Sequence, residues 1–249
     1  MKIIGIIPAR YASSRLPGKP LVDIEGHPMI WWVYSQVIKV KQFERVFVAT
    51  DDNRIMECCK AHGIPFVHTS KDCPNHIHRI WEVSNQLEAD YYVSVNGDEP
   101  LIEPKNIEQA LPEKLVSKTP YFGSVYRRLI DPAETIDLAN VKIVLDKNGD
   151  CLYQSRTPIP YPKGSIMFEY KKAIGIECFN KKALDVFAGS PMGILEKIED
   201  IDHLRFLENG VKIHYKEIES DSLSVDTKND LEKVRQIIRG RKNGEYTIT

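Results

Sequence analysis

No stretch of this 249-residue chain is apolar over a membrane-spanning length, and its apolar start meets Pro8 and Arg10 before a secretory leader could form. Membrane association is therefore not expected. Charge of one sign is not in excess either: 34 Lys and Arg stand against 35 Asp and Glu, a formal net charge of -1. No global field points to nucleic acid or an anionic surface, so any anion site must be local. Cysteine is scarce. The five residues Cys58, Cys59, Cys73, Cys151 and Cys178 lack zinc-site spacing, and reduced thiols in the cytoplasm are the expectation. Internal repeats, low-complexity segments and a clear linker are also missing. One domain over 1–249, with a partly antiparallel inserted sub-region at about 120–190, is the simplest account.

What is present is an alternation of strand-like and helix-like patterns in the first half. Strands are predicted at Ile3 to Ile7, Arg45 to Ala49, Ile64 to Val67 and Tyr91 to Val95, separated by helices at Pro28 to Val40, after Thr50 or Asp51 to His62, and Asn75 to Glu88. Short, nearly all-apolar strands between helices imply an α/β fold with a mostly parallel sheet covered on both faces. The second half predicts a hairpin of Val141 to Leu145 and Cys151 to Gln154, then a strand from Ala173 to Phe179. A helix from Ile201 to Glu208, a strand from Val211 to Tyr215 and a last helix from Asp226-Thr227 to Arg239 follow, before a frayed tail from Gly240.

Ligands in such sheets bind beyond the carboxyl ends of the strands. One of those ends carries Arg10, Arg15 and Lys19 among Ala9, Ala12, Ser13 and Gly18, small residues that let backbone amides approach a polyphosphate. A solvated basic loop would look similar. Another end carries Asp98 after Gly97, and Asp226 stands where a short apolar stretch meets a helix start. A turn aspartate and a helix N-cap are the structural alternatives. Hard oxygen donors of this kind suit Mg²⁺, which takes one or two carboxylates plus phosphate oxygens. Together these features point to magnesium-dependent nucleotidyl transfer.

Five segments, in order, carry a resemblance: Ile7-Pro-Ala-Arg-Tyr-Ala-Ser-Ser-Arg-Leu-Pro-Gly-Lys-Pro-Leu21, Val48-Ala-Thr-Asp-Asp52, Gly97-Asp-Glu-Pro-Leu-Ile102, Ser155-Arg-Thr-Pro-Ile-Pro-Tyr161 and Val225-Asp-Thr227. The chain resembles the 3-deoxy-manno-octulosonate (Kdo) cytidylyltransferases, the CMP-Kdo synthetases. The resemblance implies a nucleotidyltransferase (Rossmann-like) sheet with a smaller antiparallel region that also forms a homodimer. It further implies transfer of CMP from CTP to an acidic sugar of a surface polysaccharide, such as lipopolysaccharide or capsule. By position, Arg10, Arg15 and Lys19 would grip the triphosphate, Pro8 and Ala9 would line the cytosine pocket, and Arg79 would lie near the nucleoside. Arg10, Lys19 and Asp98 form the implied catalytic set, Asp98 and Asp226 the implied Mg²⁺ ligands. Arg156 would meet the acidic sugar.

The departures fall on the acceptor side. The family's Ser-Gly-Thr-Asp-Arg is Asn75-His-Ile-His-Arg79 here, and Asn96 replaces a glutamine. Ala173 and Glu177 stand where the family has a sugar-binding histidine and a tyrosine, and Asp202-His203 replaces Glu-Gln. Polar groups built for one hydroxyl discriminate against analogues lacking it, so altering several together argues for an acceptor other than Kdo. His76 and His78 are possible acceptor contacts. Their spacing also invites a zinc reading, but no cysteine or carboxylate with suitable spacing accompanies them. A phosphorylated or phosphonate acceptor, and a non-catalytic nucleotide- or sugar-binding regulator, stay open as alternatives.

Overall fold

Strand β1 (Ile3–Pro8) is apolar on both faces, and Ile6 and Ile7 have no exposure at all, which suits only the centre of a covered sheet. The computed structural model describes residues 1–12, 16–165, 168–220 and 222–242. After two short strands, β2 (Asp23–Ile24) and β3 (His27–Pro28), come α1 (Met29–Val37), β4 (Arg45–Thr50), α2 (Asn53–Ala61), β5 (Phe66–His68), α3 (His76–Gln86) and β6 (Tyr91–Val95). The chain continues through α4 (Pro104–Gln109), β7 (Phe122–Arg128), α5 (Pro132–Ile136), β8 (Lys142–Leu145), β9 (Cys151–Ser155) and β10 (Lys171–Phe179). It closes with α6 (Lys181–Gly189), α7 (Ile194–Glu199), α8 (Leu204–Glu208), β11 (Ile213–Glu217) and α9 (Lys228–Lys242).

Seven strands lie in the order β11-β7-β10-β6-β1-β4-β5. β6, β1, β4 and β5 are mutually parallel, β10 runs antiparallel between β6 and β7, and the β8–β9 hairpin joins through β8 to β10. This is a mixed α/β fold with a mostly parallel central sheet. The antiparallel strands of residues 122–179 continue the central sheet rather than forming a second one. β7, a strand flanked by β10 and β11, and helix α6 are additions to the elements expected from sequence.

Several boundaries shift for local reasons. Helix α1 stops at Val37, with Ile38 as its C-cap, short of Val40. The cap of α2 is Asp52, whose carboxylate accepts from the Arg54 amide at 2.9 Å, and not Thr50 or Asp51. The third strand falls at 66–68, two residues late. Helix α8 begins at Leu204 because Ile201 to His203 form the preceding turn. α9 runs to Lys242, past the expected end at Arg239.

Apolar packing lies on both sides of the sheet. One side holds Ile7, Val33, Val93 and Val234; the other holds Ile6, Ile80, Phe122, Phe179 and Phe206. Each fully buried side chain of this size contributes roughly 1.5–3 kcal/mol by leaving water. That packing holds the strand ends, and hence the loops beyond them, in fixed register.

Candidate active site

Two cavities open beyond the carboxyl ends of β1 and β6. The first, about 380 Å³, is walled by Pro8, Ala9, Arg10 and Arg79, with Lys19, Asn96 and Asp98 at one side. The second, about 580 Å³, lies toward β10 and includes Ala173, Glu177, Asp202, His203 and Asp226. His76 and Asn96 line both.

The loop after β1 is held by turns. Gly18, at φ 68°, precedes the single turn Lys19–Leu21, and its amide donates to the Tyr11 carbonyl at 3.0 Å. Lys19 thereby points at the strand end where Gly97 sits. A Cβ on Gly97 would lie 3.0 Å from the Pro8 carbonyl oxygen, so glycine lets the turn after β6 close against the end of β1. Lys19 Nζ donates to Asp98 Oδ2 at 2.8 Å and to Asp226 Oδ1 at 2.9 Å. Burial works against its charge, but Asp98 and Asp226 outweigh it and raise the Lys19 pKa above the ordinary value. Among the described residues Asp98 Oδ1 is buried with no hydrogen-bond partner. Two carboxylates converging on one cation, one with an orphaned oxygen, form a donor set that suits a hard divalent ion.

Asp226 is not the N-cap of α9. Thr227 takes that place: Asp230 accepts from the Thr227 amide at 2.9 Å, and the Thr227 hydroxyl accepts from the Asp230 amide at 3.2 Å, a reciprocal cap. Capped in this way, the helix leaves the Asp226 carboxylate directed at Lys19. The Val225 amide also donates to the Asp98 carbonyl at 2.8 Å, pinning the two acidic segments together.

On the nucleotide side, Arg79 is 1% exposed and paired with Asp51 at 2.8 Å, with Thr69 as a second partner. Its Nε has no partner among the described residues, a buried donor beside the cavity. Ala12, one of the small residues expected beside the phosphates, and Pro20, which was given no role, also line this cavity from the basic loop. Arg15 lies outside the described residues.

On the acceptor side, the Asn75 side chain caps α3 by accepting from the His78 amide at 3.0 Å, and its Nδ2 donates to Asp202 at 3.0 Å. This fixes His76 against Glu177, with Nε2 at 3.0 and 2.9 Å from the two carboxylate oxygens, while His203 Nε2 lies 2.7 Å from Oε1. Burial alone would raise the Glu177 pKa; His76 and His203 reverse that and hold it well below the usual carboxylate range. For His76 burial disfavours the charge, yet Glu177 and Asp202 raise its pKa overall.

Two expected contacts are corrected. His78 turns away from His76, because neighbours two apart on a helix point to opposite sides. Its Nδ1 meets Asn75 Oδ1 at 2.8 Å and its ring packs edge-on against Phe187. Burial lowers its pKa. Arg156 does not line the acceptor cavity. Its guanidinium donates to the carbonyls of Glu199, Leu138 and Asp200 at 2.7, 3.1 and 2.6 Å, and so braces the turn that leads into Asp202.

Glu99, Arg127 and Gly175 also line the acceptor cavity, and the sequence reading gave them no role. Glu99 directly follows Asp98, which was a usable signal, whereas Arg127 belongs to the unexpected strand β7. Lys172 lies in the same cavity and its side chain makes no hydrogen bond among the described residues; burial, then Arg127, lower its pKa.

A family model described as cytidylyltransferase matches residues 4–213. The chain is 39% identical over 245 residues to the mitochondrial 3-deoxy-manno-octulosonate cytidylyltransferase of Arabidopsis thaliana, covering 96% of this chain and 84% of the relative. It is 37% identical over 242 residues to the 8-amino-3,8-dideoxy-manno-octulosonate cytidylyltransferase of Shewanella baltica strain OS195, covering 95% and 98%. The solved structure of CMP:2-keto-3-deoxy-manno-octonic acid synthetase complexed with CTP superposes with a TM-score of 0.90 at 36% identity, over 97% of this chain and all of that one. With a family model matching most of its length and relatives of 37–39% identity over nearly all of it, the chain belongs to the cytidylyltransferase family.

Proposed function

We propose that this chain transfers CMP from CTP to an acidic sugar and releases pyrophosphate. The observation that carries the reading is the position of Lys19. It bonds at once to Asp98, which lines the first cavity, and to Asp226, which lines the second. A triphosphate seated in the first cavity thus meets cations at its boundary with the second. Arg10 and Lys19 neutralise the phosphates, while Pro8, Ala9 and Arg79 wall the base and nucleoside. An acceptor oxygen entering from the second cavity attacks the α-phosphorus as the bond to the bridging oxygen of pyrophosphate breaks. Fixed cations beside the departing oxygens stabilise the charge that develops there. Asp98 and Asp226 would hold Mg²⁺, which supplies further neutralisation of phosphate charge when bound.

The acceptor cavity supports an acidic sugar through Lys172 and Arg127. It does not reproduce the histidine and tyrosine expected for Kdo, because Ala173 and Glu177 stand in those places. Pyrophosphate release from CTP and Mg²⁺ across a panel of carboxylated, aminated and phosphorylated sugars tests the reading. Release with a carboxylated sugar is expected. CTP binding with no release on any acceptor would instead make the chain a nucleotide-binding regulator.

A cytoplasmic homodimer is the working form we propose. The exposed apolar side chains Ile130, Ile136, Leu152, Tyr161, Ile194 and Ile198 come from the antiparallel region and its helices, a supply of apolar surface suited to a second copy. Among the described residues no helix is long and apolar enough to cross a membrane. Sedimentation equilibrium should give twice the chain mass, and a monomer at micromolar concentration would remove the dimer from the proposal.

A further inference from the structure

Glu177 places a nearly buried carboxylate at the wall of the acceptor cavity. It stands within β10 opposite Ser94 of β6 and Ser124 of β7, and is 3% exposed. Phe179, two residues on and on the same face, packs against Phe122 and Phe206. A charge at the edge of an aromatic cluster needs compensation. Here two imidazoles converge on it, from the first residue of α3 and from the N-cap of α8.

Their remaining nitrogens decide what the compensation can be. His76 Nδ1 lies 3.5 Å from Asp202 Oδ2, a carboxylate already held by Asn75, so a proton on Nδ1 is favoured. His203 Nδ1 lies 3.3 Å from the Gln154 side-chain nitrogen and 3.4 Å from the Tyr215 hydroxyl, while Gln154 Oε1 is buried without a partner among the described residues. Turning that amide over would only exchange the orphan oxygen for an orphan nitrogen. His203 Nε2 can therefore either donate to Glu177 or, with the ring proton on Nδ1, offer a lone pair to a cation. A neutral imidazole protonated at Nδ1 presents a lone pair at Nε2, and both Nε2 atoms face Glu177. Lone pairs against a carboxylate repel unless both rings are charged or a cation lies among the three groups.

We propose that His76, Glu177 and His203 form a binding site for a divalent transition metal of the zinc class, separate from the Asp98 and Asp226 pair. One donor atom from each lies within 4.8 Å of the others, so small side-chain rotations bring all three to a common ion. Imidazole nitrogens with one carboxylate select borderline-soft ions, whereas Asp98 and Asp226 offer only hard oxygen. The Asp202 contact supplies the carboxylate–histidine support found behind metal-bound imidazoles. Three protein ligands leave a coordination position open, and all three residues line the acceptor cavity. This part rests on the acceptor reading above: the open position takes an anionic oxygen of the acceptor, a carboxylate flanked by a hydroxyl or carbonyl.

Titration of chelator-stripped protein with ZnCl2 alone, followed by calorimetry, should show one equivalent bound per chain, and CoCl2 should give visible absorption bands of an imidazole-ligated ion. Asp202→Asn should weaken zinc binding by about 10–100-fold, the usual cost of losing a supporting carboxylate. Glu177→Gln should abolish stoichiometric binding. Absence of stoichiometric zinc on the stripped wild-type protein overturns the proposal whatever the variants do, as does binding undiminished by Glu177→Gln. CTP binding with Mg²⁺, measured on the same samples, reports on the nucleotide cavity separately. Zinc bound with CTP refused would sink the nucleotide reading and support this site.

Discussion

Gly175 lies so close to Asn96 that a Cβ on it would fall 2.0 Å from the Asn96 side-chain nitrogen. The same two residues share a hydrogen bond, Asn96 N–H to the Gly175 carbonyl at 3.0 Å, at the point where the β10–β7 register shifts between Ile174 and Glu177. Because Asn96 walls both cavities, the bulge in β10 and the boundary between the two substrates are one structural feature. Gly175→Ala must push the Asn96 side chain aside while leaving the backbone bond in place. We expect a fall in kcat/KM of roughly 100-fold, as misplacement by about 1 Å produces, with an unfolding midpoint changed little. Unchanged turnover would show that the Asn96 side chain plays no part in positioning.

Lys19 makes the second expectation. It is the cation that lets Asp98 and Asp226 approach each other, so Lys19→Met leaves two carboxylates facing across the gap. CTP binding without added metal should be lost. Asp98→Asn and Asp226→Asn should abolish pyrophosphate release while circular dichroism and the thermal midpoint stay near wild type, since neither carboxylate is buried among apolar groups. Near-normal turnover in either variant would remove that carboxylate from the mechanism.

What was readable in the chain divides along physical lines. β1, β4 and β6 were legible because strands buried on both faces are written as unbroken apolar runs, and the loops at their ends carried the nucleotide residues. β7 was not, because Phe122-Gly-Ser-Val-Tyr-Arg-Arg128 mixes small and polar residues, and Ser124 is fully buried only because it donates to the Ile176 carbonyl at 2.9 Å. Arg127 was lost with it. The acceptor wall fared similarly. His76 meets Glu177 101 residues away and His203 another 26 on, a pairing no local spacing encodes, whereas the conspicuous His76–His78 spacing is parted by the helix itself.

Glu99 makes the stability of the metal-free protein depend on pH. Burial, then the neighbouring Asp98 charge, push its carboxyl up to about 7, against an ordinary 4.5, although the Ser222 hydroxyl donates to it at 3.0 Å. The folded state therefore binds a proton that the unfolded chain has already released between those values. Its contribution to stability is complete below about pH 4.5 and is lost as pH rises toward 7, by up to about 3 kcal/mol. Denaturant titrations in EDTA should show this decline, and Glu99→Gln should flatten it. An identical slope in the variant would assign the pH dependence to other groups.

Arg156 separates a bracing role from a direct acceptor contact. Its fork reaches carbonyls on both sides of the site, and the Asp200 it holds has φ 52°, an uncommon conformation for a residue with a side chain. A lysine keeps the charge but cannot donate in three directions from fixed positions. Arg156→Lys should therefore lose roughly 0.5–1.5 kcal/mol in urea unfolding, the net worth of a hydrogen bond whose carbonyl water can still reach. The loosened turn carries Asp202 and His203, so the KM for the acceptor should rise while the KM for CTP holds. Were Arg156 instead a direct ligand of the sugar acid, unfolding would be unchanged and only the acceptor KM would move, which is the result that would reverse the assignment.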